Sequence, residues 1–330
     1  MSPKENVVAA ITRKCGIYII LIGLIIFFSV KNGAFLTSGN LFNIARQVSM
    51  LGIAAVGMTV VLLLGGIDLS IGSQVTLVNI VTAWLMVKQG LSPVLAVAIA
   101  LAMATAIGFL NGWSVANLKM PAIIVTLGSM TVLEGLAYII CKGVPIFGFP
   151  KSFSFIGQGY IGPVPAPVIV MVLALGVGSF ILNQTYFGRY FYAVGGNEEA
   201  SKLSGVNVKN VKYLAYTLSG FFAGVAGVVL LSRTNSGQPI AGKGFEFDVL
   251  TAVVLGGVSV SGGYGKIQNV VAGVLIIGVL GNGMILLGVT QYVQMVTKGA
   301  VLFLAVAFDC LQKSGAFARL GSRLFPPKLV

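Results

Sequence analysis

The sequence predicts an all-α fold, a polytopic transmembrane helical bundle of about ten spans forming one domain over residues 1–330. Three observations predict it. Hydrophobic residues make up 57% of the chain and charged ones 9%, and the mean hydropathy is +0.98, which is the balance of a chain dissolved in lipid. Apolar runs close to the roughly 20 residues that cross a hydrocarbon layer recur from end to end. Alternating strand patterns of a membrane barrel are absent from the sequence, so backbone amides in lipid must be satisfied within helices.

Cutting the chain at charges, prolines and glycine-rich breaks gives spans at 11–30, 46–65, 67–87, 92–117, 121–140, 164–182, 211–232, 246–262, 266–288 and 289–310. The first follows basic residues, as a secretory signal would, yet no small-x-small cleavage pattern succeeds it, so it is kept as a span. The second carries the almost unbroken apolar run MLGIAAVGMTVVLLL. The third opens with LGGIDLSIGS (64–73) and the eighth with GKGFEFDVL (242–250); acidic and small polar residues at their starts make both candidates for broken or re-entrant helices. Inside the seventh and ninth, LSGFFAGVAGVVLLS and VVAGVLIIGVLGNGMILLG space glycines by three or four residues, which lets helices approach closely in lipid.

Net charge is +13, from 21 basic and 8 acidic residues. In so oily a chain these cations hold helices in orientation against an anionic leaflet, and nucleic acid is not a partner. With the N-terminus in the cytoplasm, 13 of the 21 fall on inner segments: Lys4, Arg13, Lys14, Lys119, Arg189, Lys202, Lys209, Lys212, Lys266, Lys313, Arg319, Arg323 and Lys328. Both termini are therefore expected inside.

Two connections exceed a turn. CKGVPIFGFPKSFSFIGQGYIGPVPAP, an external loop over about 141–163 before the sixth span, reads as a packed outer cap or docking surface. The cytoplasmic loop over about 183–212 contains GGNEEASKLSGV, a helix-entry signature. Asn197 can accept bonds from the free amides of a first turn, Glu198 and Glu199 complement the dipole there, and Gly205 closes a helix of about two turns. So short a helix needs something to pack against. A solvated connector and a docking element for a cytoplasmic partner both remain open.

Chemistry is narrowly bounded. Histidine is missing altogether, removing the commonest general base and soft-metal ligand, and Cys15, Cys141 and Cys310 lack the spacing of a metal or disulfide framework. No G-x-x-x-x-G-K-[ST] motif occurs, so the chain carries no ATP site of its own. No catalytic residue, metal or cofactor is assigned, and a membrane enzyme is disfavoured.

Asp68 sits where two apolar segments meet behind a Gly-Gly pair, so it can cap the following helix by accepting backbone bonds, or serve a gate or path. Glu134 and Lys298 lie deeper, and an isolated charge there costs roughly 2.5 to 3.5 kcal/mol, so the two are expected to pair across the fifth and tenth spans unless each lines a wet cavity alone. Glu246 and Asp248 are expected to cap the eighth span. LGGIDLSIG (64–72) and LGGVSVSGG (255–263) repeat a pattern, as transporters with internal repeats do. Both, however, fall on the inner side, where inverted repeats would separate them. An ion-coupled secondary transporter, with Asp68, Glu134 and Lys298 as its relay, is the competing reading.

The sequence closely resembles the transmembrane permease subunits of ribose-type ABC importers, in the family that also holds branched-chain amino-acid permeases. The marks are NLFNI (40–44), AVGMTVVLLLGGIDLSIGS (55–73), GRYFYAVGGNEEASKLSGVNV (188–208), QPIAGKGFEFDVLTAVVLGGVSVSGGYGKI (238–267) and QYVQMVTKGAVLFLAV (291–306). The resemblance implies the large importer-type permease fold in a bacterial inner membrane and a homodimer with the path at its interface. It also implies a separate cytoplasmic ATPase subunit that holds the ATP and Mg, and a periplasmic sugar-binding protein. Gly195, Gly196, Asn197, Glu198, Glu199, Ala200, Ser204 and Gly205 would form the coupling helix that contacts the ATPase. Asp68, Ser70, Thr76, Asn79, Asn235 and Asn282 would line the translocation path or gate. The cargo would be ribose or a similar monosaccharide, with a non-sugar substrate such as a branched-chain amino acid as the alternative.

Overall fold

The computed structural model of the chain describes residues 7–313, with side chains from 16 to 311. Lys4, Arg319, Arg323 and Lys328 fall outside the described residues, as do the side chains of Arg13, Lys14, Cys15 and Lys313. Helices run α1 (Val7–Lys31), α2 (Ser38–Leu63), α3 (Ile71–Val87), α4 (Pro93–Asn117), α5 (Ala122–Cys141), α6 (Lys151–Gln158), α7 (Ala166–Gln184), α8 (Tyr186–Gly196), α9 (Glu198–Leu203), α10 (Val208–Thr234), α11 (Phe245–Leu255), α12 (Ile267–Leu286) and α13 (Gln291–Lys313). A small antiparallel hairpin, β1 (Tyr160–Ile161) with β2 (Val164–Pro165), follows α6.

Each of the ten predicted runs carries a helix. Seven of the described helices, α2, α4, α5, α7, α10, α12 and α13, are long and apolar enough to cross a membrane. The apolar part of α1, Gly16–Lys31, and α3 are shorter. The eighth run differs most: α11 has 11 residues, about 16 Å at the helical rise, and ends at Gly256 and Gly257 in place of continuing to 262. It is a half-helix, as its acidic start suggests.

The buried centre is α2, whose residues from Val48 to Leu63 are all enclosed, with α10 and α3 against it. A helix hydrophobic all round belongs in such a place. α10 also lies along α4, and the two backbones cross at Gly108 and Gly220: a Cβ at Gly108 would stand 2.2 Å from the Tyr216 carbonyl oxygen, and one at Gly220 2.3 Å from that of Ala104. Here the small residues serve packing, as their spacing implies.

Outside the bundle, residues 141–165 fold back on the end of α10. Phe153 is buried, the Gly157 amide donates to Ser232 Oγ (2.7 Å), and Ser232 Oγ donates to the Phe153 carbonyl (2.6 Å). Ile146 pairs with Gly237 as an isolated bridge. The segment is a packed cap.

Candidate functional site

The break between α2 and α3 holds a buried polar hub. Gly65 takes a φ of +74°, turning the chain so that Asp68, fully buried, enters the bundle. One carboxylate oxygen accepts from the Ser70 amide (3.0 Å) and hydroxyl (2.5 Å), and the other accepts from Ser219 Oγ of α10 (2.7 Å). Ser70 Oγ in turn accepts from Gln74 (2.8 Å) and from Asn111 of α4 (3.0 Å), while Ser129 of α5 donates to Asn111. Three donors are what a carboxylate needs when removed from water. Asp68 thus orders the turn ahead of α3 and locks that turn to α10, and through Ser70 to α4 and α5. Ser219 as its partner, and Asn111 and Ser129 as the extension of the network beyond Ser70, are not legible from sequence.

The other residues expected along a path are also struts. Thr76 Oγ accepts from the Gly242 amide (2.9 Å) and Asn79 Oδ1 from that of Gln238 (2.9 Å), so α3 carries the irregular segment entering α11. Asn282 of α12 and Asn40 of α2 exchange a reciprocal pair of 2.9 Å bonds. Asn235, exposed, is the left-handed cap of α10 at φ +50° and accepts from Ser154 of the outer cap (3.4 Å).

The expected Glu134–Lys298 pair is not formed. Lys298 of α13 reaches Asp248 of α11 at 2.6 Å, while Glu134 lies within electrostatic reach of Glu246. The reason is topological: α13 packs against α11, and α5 lies against α3 and α4. Packed on α13, the first turn of α11 places Asp248 within reach of Lys298. Asp248 therefore answers a lysine as well as a helix dipole.

α9 begins where the sequence places it. Asn197 Oδ1 accepts from the Ala200 amide (2.9 Å), Glu198 and Glu199 occupy the first turn, and Gly205, at φ +86°, ends the turn that follows. Ser204 Oγ donates to the Ala200 carbonyl (2.9 Å), and Glu198 pairs with Lys212 of α10 at 2.8 Å. Leu203, 90% exposed, stands out from this helix into solvent. Its root is where the main contact lies. A Cβ at Gly195 would stand 1.7 Å from the Leu63 carbonyl oxygen and 2.7 Å from the Gly263 amide nitrogen. That amide donates to the same Leu63 carbonyl (2.8 Å), and Tyr192 Oη donates to the Gly265 carbonyl (2.8 Å). A Cβ at Gly65 would meet Ser261 at 3.3 Å, so LGGIDLSIG and LGGVSVSGG touch each other as well as the root of α9. The two segments, expected on the same side where an inverted repeat would separate them, are in contact. Three glycine-bearing segments meet there at backbone contact.

Residues 40–306 match the family described as branched-chain amino acid transport system / permease component. The chain is 43% identical over 301 residues to the ribose import permease protein RbsC of Bacillus subtilis (strain 168), covering 91% of this chain and 93% of that protein. It is 43% identical over 295 residues to the ribose import permease protein RbsC of Escherichia coli (strain K12), covering 88% and 92%. Against the L-arabinose transport system permease protein AraH of the same organism the identity is 39% over 294 residues, covering 89% of each chain. No solved structure matches.

Proposed function

We infer that this chain, which belongs to the branched-chain amino acid transport system / permease component family, is the membrane permease subunit of an ATP-driven importer carrying a monosaccharide into the cytoplasm. The cargo is ribose or a close pentose, in line with what the similar permeases are named for. The observation that carries the mechanism is the glycine joint: a short acidic helix, with Leu203 exposed, rooted by Gly195 against both helix breaks of the bundle.

On this reading residues 195–205 are the coupling element. ATP closes a separate cytoplasmic ATPase pair, α9 moves with it, and Gly195 passes the displacement to the breaks at 64–70 and 256–265. The hub at Asp68 then re-aims α3 against α4, α5 and α10. Nucleotide and Mg belong to the ATPase, a periplasmic binding protein delivers sugar, and a second copy of the chain completes the path. Ten membrane segments, including the half-helix, with both termini in the cytoplasm accommodate this arrangement. Asp68, Ser70, Thr76, Asn79 and Asn282 act as struts that set the positions of path-lining helices, and Asn235 fastens the outer cap.

Reconstitution tests it. Permease and ATPase together in proteoliposomes, with the sugar-loaded binding protein outside and ATP inside, are expected to accumulate ribose. Uptake by the permease alone, driven by a proton or sodium gradient, would overturn the reading.

A further inference from the structure

A cavity of about 620 Å³ opens between α9, the break at 64–66 and the ends of α4, α5 and α10, and the cycle above assigns it no ligand. Four lysines line it: Lys119 from the α4–α5 turn, Lys202 from α9, and Lys209 and Lys212 from α10. The one acid on its wall, Glu198, is taken by Lys212 at 2.8 Å. Lys119, Lys202 and Lys209 form no ion pair among the described residues, so three cations converge from two sides without an answering charge. Lys119 is held at φ +54°, a left-handed conformation uncommon for a residue with a side chain. Residues at the first turns of α10 (Val208) and α5 (Ala122) also line the space, and helix starts carry partial positive charge. Tyr216 is part of its wall, and the hydroxyl of that residue, buried behind the wall beside Gly66, has no hydrogen-bond partner.

We propose that this cavity binds a phosphate-bearing anion on the cytoplasmic side, which bridges Lys119 and Lys209 of the bundle to Lys202 and so ties α9 down. Lysine ammoniums supply donors only, and a phosphate offers three acceptor oxygens and up to two negative charges. The volume lies in the roughly 300–1,000 Å³ range of small-molecule sites, larger than inorganic phosphate requires, so it has room for an organic group attached to the phosphate. Occupancy slows ATP-driven uptake by resisting the movement of α9. That consequence rests on the coupling reading above; the binding itself does not.

The test uses the assembled permease–ATPase complex in nanodiscs. In phosphatidylcholine discs, radiolabelled inorganic phosphate and ribose 5-phosphate are expected to bind saturably and to weaken as salt rises. The double variant Lys119→Gln/Lys209→Gln is expected to lose roughly tenfold or more in affinity. Lys119→Arg/Lys209→Arg, which keeps the charges, is expected to retain binding and controls for folding. In discs doped with phosphatidate, native mass spectrometry reads lipid retention by the same variants. Lysine-dependent binding of the soluble probes assigns a free anion, and lysine-dependent retention of phosphatidate assigns a headgroup; either upholds the site. Binding that fails to depend on the lysines overturns the proposal. So does binding by the permease alone that vanishes once the ATPase joins, because the cavity is then a seat for that subunit. A complex that transports normally but shows no lysine-dependent phosphate binding sinks this proposal and spares the importer reading; uptake without ATPase does the reverse.

Discussion

The buried charges decide most at the scale of single residues. Asp68 is answered by two serine hydroxyls and an amide, so its stability contribution depends on partners from different helices. Ser219→Ala leaves one carboxylate oxygen without its donor and is expected to cost about 1–3 kcal/mol. Asp68→Ala removes the carboxylate but strands the Ser219 and Ser70 donors, and should cost at least as much. Thermal unfolding of the detergent-solubilised protein measures both, and an Asp68→Ala melting temperature equal to that of the parent would refute the hub. For Lys298, neutralising either it or Asp248 leaves an unpaired intramembrane charge, at roughly 2.5 to 3.5 kcal/mol. The exchanged pair Asp248→Lys/Lys298→Asp should recover expression and uptake that each single exchange loses, whereas exchanging Glu134 with Lys298 should not. Recovery by the Glu134 exchange would mean that α5, and not α11, faces α13.

Helical elements carry the coupling argument, and two adjacent glycines give its sharpest contrast. A Cβ at Gly195 collides with the Leu63 carbonyl oxygen, while one at Gly196 meets nothing within 4 Å. Gly195→Ala is therefore expected to push the root of α9 off the joint, so that ATP hydrolysis persists while uptake per ATP falls by about tenfold, equivalent to roughly 1.4 kcal/mol of lost coupling. Gly196→Ala should behave as the parent. Parallel assays of phosphate release and sugar uptake in proteoliposomes check the pair, and equal effects at both positions would remove the joint from the mechanism. Much of this element was legible beforehand, because Asn197, Glu198, Glu199 and Gly205 obey local capping rules. α11 was legible as suspect from Glu246 and Asp248 at its head. What local rules could not supply was partnership: which helix Ser219 faces, or that Lys298 meets Asp248. Those depend on the packing order of helices that share the same apolar composition, and in lipid that order is set by the close fit of small residues such as Gly108 and Gly220.

At the scale of the whole molecule, two hydrophobic clusters divide the work. One surrounds α2 and includes parts of α7, α10, α11 and α12; the other joins α3, α4 and α5 to the outer cap through Phe153 and Ile146. The glycine joint touches the first directly, through Leu63, Val194 and Val258, while the second connects to it through the Asp68 hub and the length of α10. Packed clusters move as units and yield at irregular backbone, so a stroke delivered at α9 should be absorbed at the breaks. Hydrogen exchange on the assembled complex, with and without a trapped ATP state, is expected to change at 64–70, 195–205 and 256–265. The outer cap, residues 146–165, and the interior of α2 should keep their protection. α2 is enclosed from Val48 to Leu63, and that stretch should exchange slowest of all the described helices. Changes limited to α9 would mean that the stroke ends at the ATPase surface, and changes spread evenly through α2 would mean that the bundle deforms as a whole; in either event the three-way glycine contact would be packing without transmission.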